Sequence, residues 1–356
     1  MSERILYTRD AKQGFEGNGG VLVGSLVQLA KAQKKGTFTY SKDNADAKEA
    51  ILAYAKDAVS DLSMYSTYAN DQAMMKAVFA KEEGACTRVY SVISGAVERL
   101  LVKNELQTIW KFVKVLSGAE GDTAVFPIES AMPYEVHEHA HSNANYRFEI
   151  SLADESILNA VMKYAGVQFD IYQLLNDYYD VGAEINKITD GFKRDMNKVV
   201  VEALMTRVRG LTTPFQVTGY TKQDVIKTKT LLDTFNGVPC ALFGSQVALS
   251  KIPVDQNALG NGIGEEIVRN GFLGRVDGMN AYILDDIIDD FATFSTLLPD
   301  DQVFMLPLAQ IVTLYTEGIT SFKEVPNNSI EAKNVVIAQN YTAKYTSPLA
   351  LGVINL

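Results

Sequence analysis

GAEINKITDGFKRDMNKVVVEALMTRVRG, residues 182–210, is the stretch that sets the frame for the rest of the chain. Its apolar residues Ile185, Ile188, Phe192, Met196, Val199, Val200, Ala203, Leu204 and Val208 recur at steps of three and four, while Glu184, Lys187, Asp190, Lys193, Arg194, Lys198 and Arg207 fill the other face. The spacing predicts one amphipathic helix. At ~1.5 Å per residue it reaches roughly 37 Å, far beyond the ~11–12 residues of an ordinary helix. Gly191 is its weak point, about 1 kcal/mol worse than Ala, and Gly210 with Pro214 beyond it supplies the stop.

A chain of 356 residues has room for two or three packed units. Hydrophobic residues make up 47% and charged residues 21%, as in folded soluble proteins rather than fibrous or disordered ones. The formal net charge of -10 opposes specific reading of nucleic acid over most of the surface. Cys86 and Cys240 lack the paired spacing of a zinc or redox motif and are expected to be reduced and buried. Met1 to Asp10 carries Glu3, Arg4, Arg9 and Asp10 instead of a signal-peptide core, and no apolar run of about 18 residues occurs. The expectation is a chain that neither uses that export route nor spans a membrane.

Upstream of the long helix, residues 1–45 read as an arm. Gly14, Gly17, Gly19, Gly20 and Gly24 surround a short apolar run from Val21 to Leu29, and the spacing misses both the phosphate-loop and the dinucleotide patterns. Asp46 and Glu49 form a capping-box pattern ahead of Ile51, Leu52, Ala55, Val59 and Leu62, and further helices are expected over Asp71–Lys81 and Thr87–Val102. From Thr108 the period shortens towards two. Trp110–Leu116, Thr123–Ile128 and Tyr146–Leu152 read as strands, the last two as arms of a projecting hairpin around the polar stretch Glu129–Asn145. Helices are expected over Asp154–Tyr164 and Asp170–Asp180.

Downstream, the texture alternates between α and β. Thr221–Phe235 reads as a helix, Val238–Phe243 as a buried strand, Ser245–Ile252 as a helical turn closed by Pro253, and Gly271–Ile283 as strand, turn, strand. Val303–Leu306, Val312–Tyr315, Ile319–Val325 and Asn334–Tyr345 are further strands.

All three histidines fall in Glu135-Val136-His137-Glu138-His139-Ala140-His141. On an extended backbone Glu135, His137, His139 and His141 would share one face at ~7 Å intervals, and a His-x-His pair is half of a zinc site. A metal site, a pH-sensitive contact between subunits and a plain solvated loop all fit this pattern. Asp255, Asn257, Gly260 and Glu266 echo a calcium loop, but Leu259 occupies its fifth position and cannot ligate. Asp285, Asp286, Asp289 and Asp290 read as a solvated acidic face. With every histidine in one stretch, no Ser/His/Asp or Cys/His catalytic set can be proposed, and no cofactor is called for.

The order of arm, projecting hairpin, long helix, α/β unit and returning strand resembles the major capsid proteins of tailed bacteriophages, the Hong Kong phage-type capsid fold. Gly121–Ile128 (GDTAVFPI) with Tyr146–Ser156 is similar to that family's E-loop, and Gly182–Gly210 to the spine helix of its P-domain. Val225–Ile252, containing VPCALFGSQVALSKI, and Phe272–Asp285 (FLGRVDGMNAYILD) resemble its A-domain; Asn334–Pro348 resembles the closing P-domain strand. The resemblance implies an α+β fold divided into an N-terminal arm and helical region (1–107), an E-loop (108–152), a P-domain with the spine helix (153–210), an A-domain (211–331) and a closing strand with C-terminal return (332–356).

It further implies a non-enzymatic structural protein, assembled in the host cytoplasm as hexamers and pentamers into the icosahedral shell of a virion around phage DNA. Portal, scaffolding or decoration proteins would be its other partners, contact with packaged DNA would be non-specific, and the arm would gain order against other copies. Glu135, His137, His139, His141, Lys187, Lys193, Arg194 and Arg207 are the candidate subunit-interface residues. Some members of the family crosslink subunits through an E-loop Lys; here no Lys lies between Lys114 and Lys163, which implies a shell without such bonds. Two rival readings are an encapsulin-type compartment around cargo enzyme, which shares the fold, and a metal-dependent enzyme using His137, His139 and His141.

Overall fold

The structure is a computed structural model that describes residues 18–34, 49–57, 59, 62–65, 67–68, 73–75, 77–78, 83–102, 111–118, 124–129, 152–170, 180–253, 274–284, 286–290, 292–325 and 332–356. The calcium-like stretch 255–266, residues 171–179 of the helix expected over Asp170–Asp180 and the Tyr146–Ser151 part of the expected strand lie outside these residues.

Before the first strand, the longer helical segments among the described residues are α1 (Asn18–Lys34), α2 (49–56) and α3 (Glu83–Val102). The long amphipathic stretch is α4 (Val181–Arg209), one unbroken helix of 29 residues. Its start is fixed by Asp180, whose Oδ1 accepts from the Ala183 amide at 2.9 Å, supplying a partner to one of the first-turn N–H groups that no helix can pair internally. Ile185, Ile188, Phe192, Met196, Val200, Val201, Leu204 and Val208 are buried, so the apolar stripe read from the sequence is the one that packs.

Residues 18–34 depart from the expected arm. Leu22, Val23, Leu26, Val27 and Ala30 are buried in the same core as α4, and α1 packs on both α3 and α4. Polar contacts lock the seam: Asn186 Nδ2 donates to the Ala30 carbonyl at 2.9 Å and Gln33 Nε2 to Asp180 Oδ2 at 2.6 Å. The apolar patch expected to wait for another copy therefore has partners within its own chain. Of the helix expected over Asp71–Lys81, the described residues 73–75 and 77–78 are helical, and Met75 and Val78 are buried.

Eight of the strands pertinent here are β1 (Val113–Gly118), β2 (Ala124–Glu129), β3 (Leu152–Leu158), β4 (Val161–Asp170), β11 (Gln302–Pro307), β12 (Val312–Val325), β13 (Ala332–Tyr345) and β14 (Gly352–Asn355). A four-stranded sheet runs in the order β1-β12-β13-β4 and lies against α4. β1 joins β12 in parallel, whereas β12, β13 and β4 are antiparallel. β2 and β3 form a separate ribbon, with Val125 opposite Ile157. The helix expected over Asp154–Tyr164 is thus corrected to the end of one strand and the start of another. Leu158, Val161, Met162 and Ala165 happen to fall at steps of one, three and four, but backbone pairing to β2 and to β13 overrides that weak local signal. The two strands expected at Val312–Tyr315 and Ile319–Val325 are one strand, β12, with register shifts between Thr316 and Ser321.

The α/β unit is a six-stranded sheet, order β5-β14-β11-β6-β8-β7, where β5 is Gln216–Thr218, β6 Cys240–Gly244, β7 Arg275–Val276 and β8 Met279–Ile283. Helices α5 (Lys222–Asn236) and α6 (Gln246–Ser250) pack on it, closing a second core around Val225, Leu232, Leu242, Leu249, Met305 and Ile354. The expected turn between β7 and β8 is Asp277-Gly278, both at positive φ. Sheet membership crosses the expected domain limits: β12, within 211–331, belongs to the sheet under α4, and β14, at the end of 332–356, is an inner strand of the α/β sheet. The ring of Phe112 meets Phe243 edge-on at 4.7 Å between centroids, and Phe243 stacks on Tyr282 at 5.2 Å, so the two sheets share aromatic packing.

Candidate assembly surfaces

Glu135, His137, His139 and His141 lie outside the described residues, and what the structure supplies is the ribbon that carries them. Its cross-strand pair Val125 and Ile157 is exposed on both sides, at 51% and 54%. The two branched apolar side chains stand directly opposite each other in water, whereas the next residue of β3, Leu158, is buried.

The charged face of α4 is spread along the helix instead of gathered. Lys187 is held by Glu184 at 2.6 Å, and that hydrogen bond raises its pKa. Lys193 is half-buried; burial lowers its pKa first, and the neighbouring Lys34 adds to the effect. Arg194 is half-buried too. Arg207 lies 5.6 Å over the ring of Tyr345 as a cation–π pair. Lys187 and Arg207 stand 20 residues apart, roughly 30 Å along the helix, so the four basic residues do not form one site.

A charged group missed in the sequence reading sits at the middle of α4. Lys198 Nζ is 2.5 Å from Asp289 Oδ1, and Lys163 Nζ is 3.8 Å from Asp195 Oδ2. Tyr341 Oη also donates to Asp195 Oδ2, at 2.5 Å. Asp289, read as part of a solvated acidic face, is therefore a tie between the helix and the chain beyond β8. The signal was absent from the sequence because the partners are 91 positions apart.

Edge strand β4 bears Val161, Met162 and Tyr164 exposed at 56%, 56% and 72%. The sequence reading missed this surface by taking the segment as helical. Among the described residues no group of three or more His, Cys, Asp or Glu side chains could hold a metal ion, and no helix is long and apolar enough to cross a membrane. Cys240 is buried, as expected, and burial pushes its thiol up to about 12, with Asp233 adding to the effect.

No family model and no curated protein matches this sequence. Solved structures do: a chain of the capsid of cyanophage P-SCSP1u superposes with a TM-score of 0.50 at 12% identity, over 70% of this chain and 88% of that one. The fold is that of a Hong Kong-type phage capsid protein. The mature capsid of bacteriophage PhiM1 gives a TM-score of 0.49 at 12% identity over 70% and 87% of the two chains, and the capsid of a native gene transfer agent particle 0.47 at 9% over 71% and 92%. Along the chain the β2–β3 ribbon precedes α4, and strands β5 to β8 follow it.

Proposed function

We propose that this chain is the major capsid protein of a tailed phage, a structural protein whose hexamers and pentamers close into an icosahedral shell around DNA. The observation that carries the reading is the capsid fold itself. The exposed apolar residues support it. Val125 and Ile157 on the ribbon, and Met162 and Tyr164 on β4, leave apolar surface in water that burial against a neighbour would stabilise by ~25 cal/mol per Å². In this reading the ribbon is the E-loop and lies across an adjacent subunit, carrying Glu135, His137, His139 and His141 to that contact, while Lys187, Lys193, Arg194 and Arg207 face a neighbour or the packaged genome. Portal, scaffolding and decoration proteins would be further partners, with the virion as the final location.

Electron microscopy of the purified protein tests the proposal directly. Closed shells with nucleic acid inside particles isolated from lysed cells are the expected result. Shells holding a cargo enzyme would instead identify an encapsulin-type compartment, and a persistent monomer at high concentration would refute the structural role.

A further inference from the structure

We infer that the bulge in β12 is a site for a hard divalent cation of the calcium type, with the Glu317 carboxylate and the Asn340 side-chain oxygen as its ligands. The site starts from an irregularity of the sheet. Thr316 of β12 pairs with Tyr341 of β13 and the next pair is Ile319 with Gln339, so Glu317 and Gly318 together stand opposite Asn340 alone. The extra residue of a bulge lies outside the ladder, which is where a backbone carbonyl can join side-chain ligands.

Glu317 is 4% exposed, and its hydrogen bond comes from Asn340 Nδ2, which donates to Oε2 at 2.8 Å. Among the described residues no basic side chain pairs with it. A buried carboxylate that meets only a neutral amide carries a desolvation cost that a cation would offset. The amide is itself half satisfied, because Asn340 Oδ1 is buried and accepts from no donor. Two neighbouring sets of oxygen lone pairs therefore lie inside the protein with one N–H group between them.

Oxygen lone pairs short of donors are what a hard cation coordinates, and calcium takes carboxylate, amide and backbone carbonyl oxygens together. Turning the Asn340 amide about its last bond would bring Oδ1 to the carboxylate and complete the pair of side-chain ligands. A bare ion suits the site better than a lysine or arginine of another chain. Both acceptors are shut inside, so a long side chain has no way in, whereas an ion needs only a local opening. Gly118 of β1 is the partner of Glu317 on the other ladder, and the buried ring of Tyr315 lies across it, which shields this rung from bulk water. With one carboxylate and otherwise neutral oxygens, the affinity belongs to the weak end of calcium sites, Kd ~10⁻⁴–10⁻³ M. The site belongs to the single subunit and does not depend on the shell-forming reading.

Thermal melts of the full chain, freed of metal with a chelator and then titrated with CaCl2 or MgCl2, test the site. The melting temperature of the parent is expected to rise with CaCl2, and less with MgCl2, which demands a stricter octahedral geometry. Glu317→Gln keeps the shape and removes the charge. It is expected to melt at or above the metal-free parent and to lose the calcium response. Asn340→Asp sets a second carboxylate against the first. It is expected to melt below the parent without metal, through like-charge repulsion, and to bind calcium about tenfold more tightly, so that calcium restores it. A parent that ignores calcium would overturn the inference. A calcium response of equal size in Glu317→Gln would overturn it too, by placing the ion elsewhere, as in the calcium-like stretch 255–266, which both variants leave intact. So would an Asn340→Asp variant whose lowered melting temperature calcium does not restore.

Discussion

Tyr315 of β12 is buried with its ring laid across Gly118 of β1, where a Cβ would land on the hydroxyl and stand 2.7 Å from Cζ. The glycine is needed for space and not for a turn. Gly118→Ala is expected to lower stability by ~1–3 kcal/mol, since a packed ring cannot swing aside, and the loss in Gly118→Ala with Tyr315→Ala should fall well short of the sum of the two single losses. Denaturant melts of the four proteins check this. Cys240 allows a second residue-scale prediction. Its folded pKa is pushed up to about 12, above the ordinary ~8.5, so the fold favours the neutral thiol. The sign follows: this contribution is whole below the unfolded value and is lost as pH rises from there towards 12, because only the unfolded chain then releases the proton. In a Cys86→Ser background, Cys240 should resist alkylation at pH 8 until denaturant is added. Rapid labelling of the folded protein would contradict the burial of this thiol.

At the scale of elements, α4 was readable because a 3.6-residue period sustained over 29 residues leaves no competing register. Gly191 within it meets nothing within 4 Å of a built Cβ, unlike Gly118. Gly191→Ala is therefore expected to raise stability by ~0.5–1 kcal/mol, and a neutral or negative change in the thermal midpoint would mean that the position touches something in the assembly. The same local reasoning failed for α1 and for β3 and β4, for different reasons. In α1 the glycines at 19, 20 and 24 dilute the helical signal, and the decisive contacts of Gln33 and Asn186 join positions some 150 apart. In β3 and β4 the apolar spacing imitates a helix, and only the ladders to β2 and β13 settle the conformation. The ties of Lys198 to Asp289 and of Tyr341 to Asp195 are long-range in the same way. Composition could flag Lys187, Lys193, Arg194 and Arg207 as surface charges, but it could not show that they lie along some 30 Å of helix with separate surroundings.

For the molecule as a whole, the shell-forming proposal turns on what would hold one copy to the next. Between Lys114 and Lys163 the chain has no lysine, so the ribbon and the stretch it carries hold no side-chain amine to form an isopeptide bond with a neighbour. Under the shell-forming proposal, burial of surfaces such as Val125 and Ile157, Met162 and Tyr164 would then hold the copies together, a contact that is reversible and depends on concentration. The expected outcome is a particle that, boiled in detergent with reductant, runs as a single monomer band, and that moderate guanidinium returns to subunits able to reassemble on dialysis. A ladder of species surviving both treatments would show a covalent shell built from amines elsewhere in the chain. Lys163 is the first candidate for that role, because it lies at the exposed edge of β4 and its carboxylate partner Asp195 is 3.8 Å away, a distance that leaves the amine partly free to reach a neighbour. Replacing Lys163 by Arg keeps the charge but removes the nucleophilic amine, so loss of the ladder in that variant would locate the bond, and its persistence would exclude Lys163.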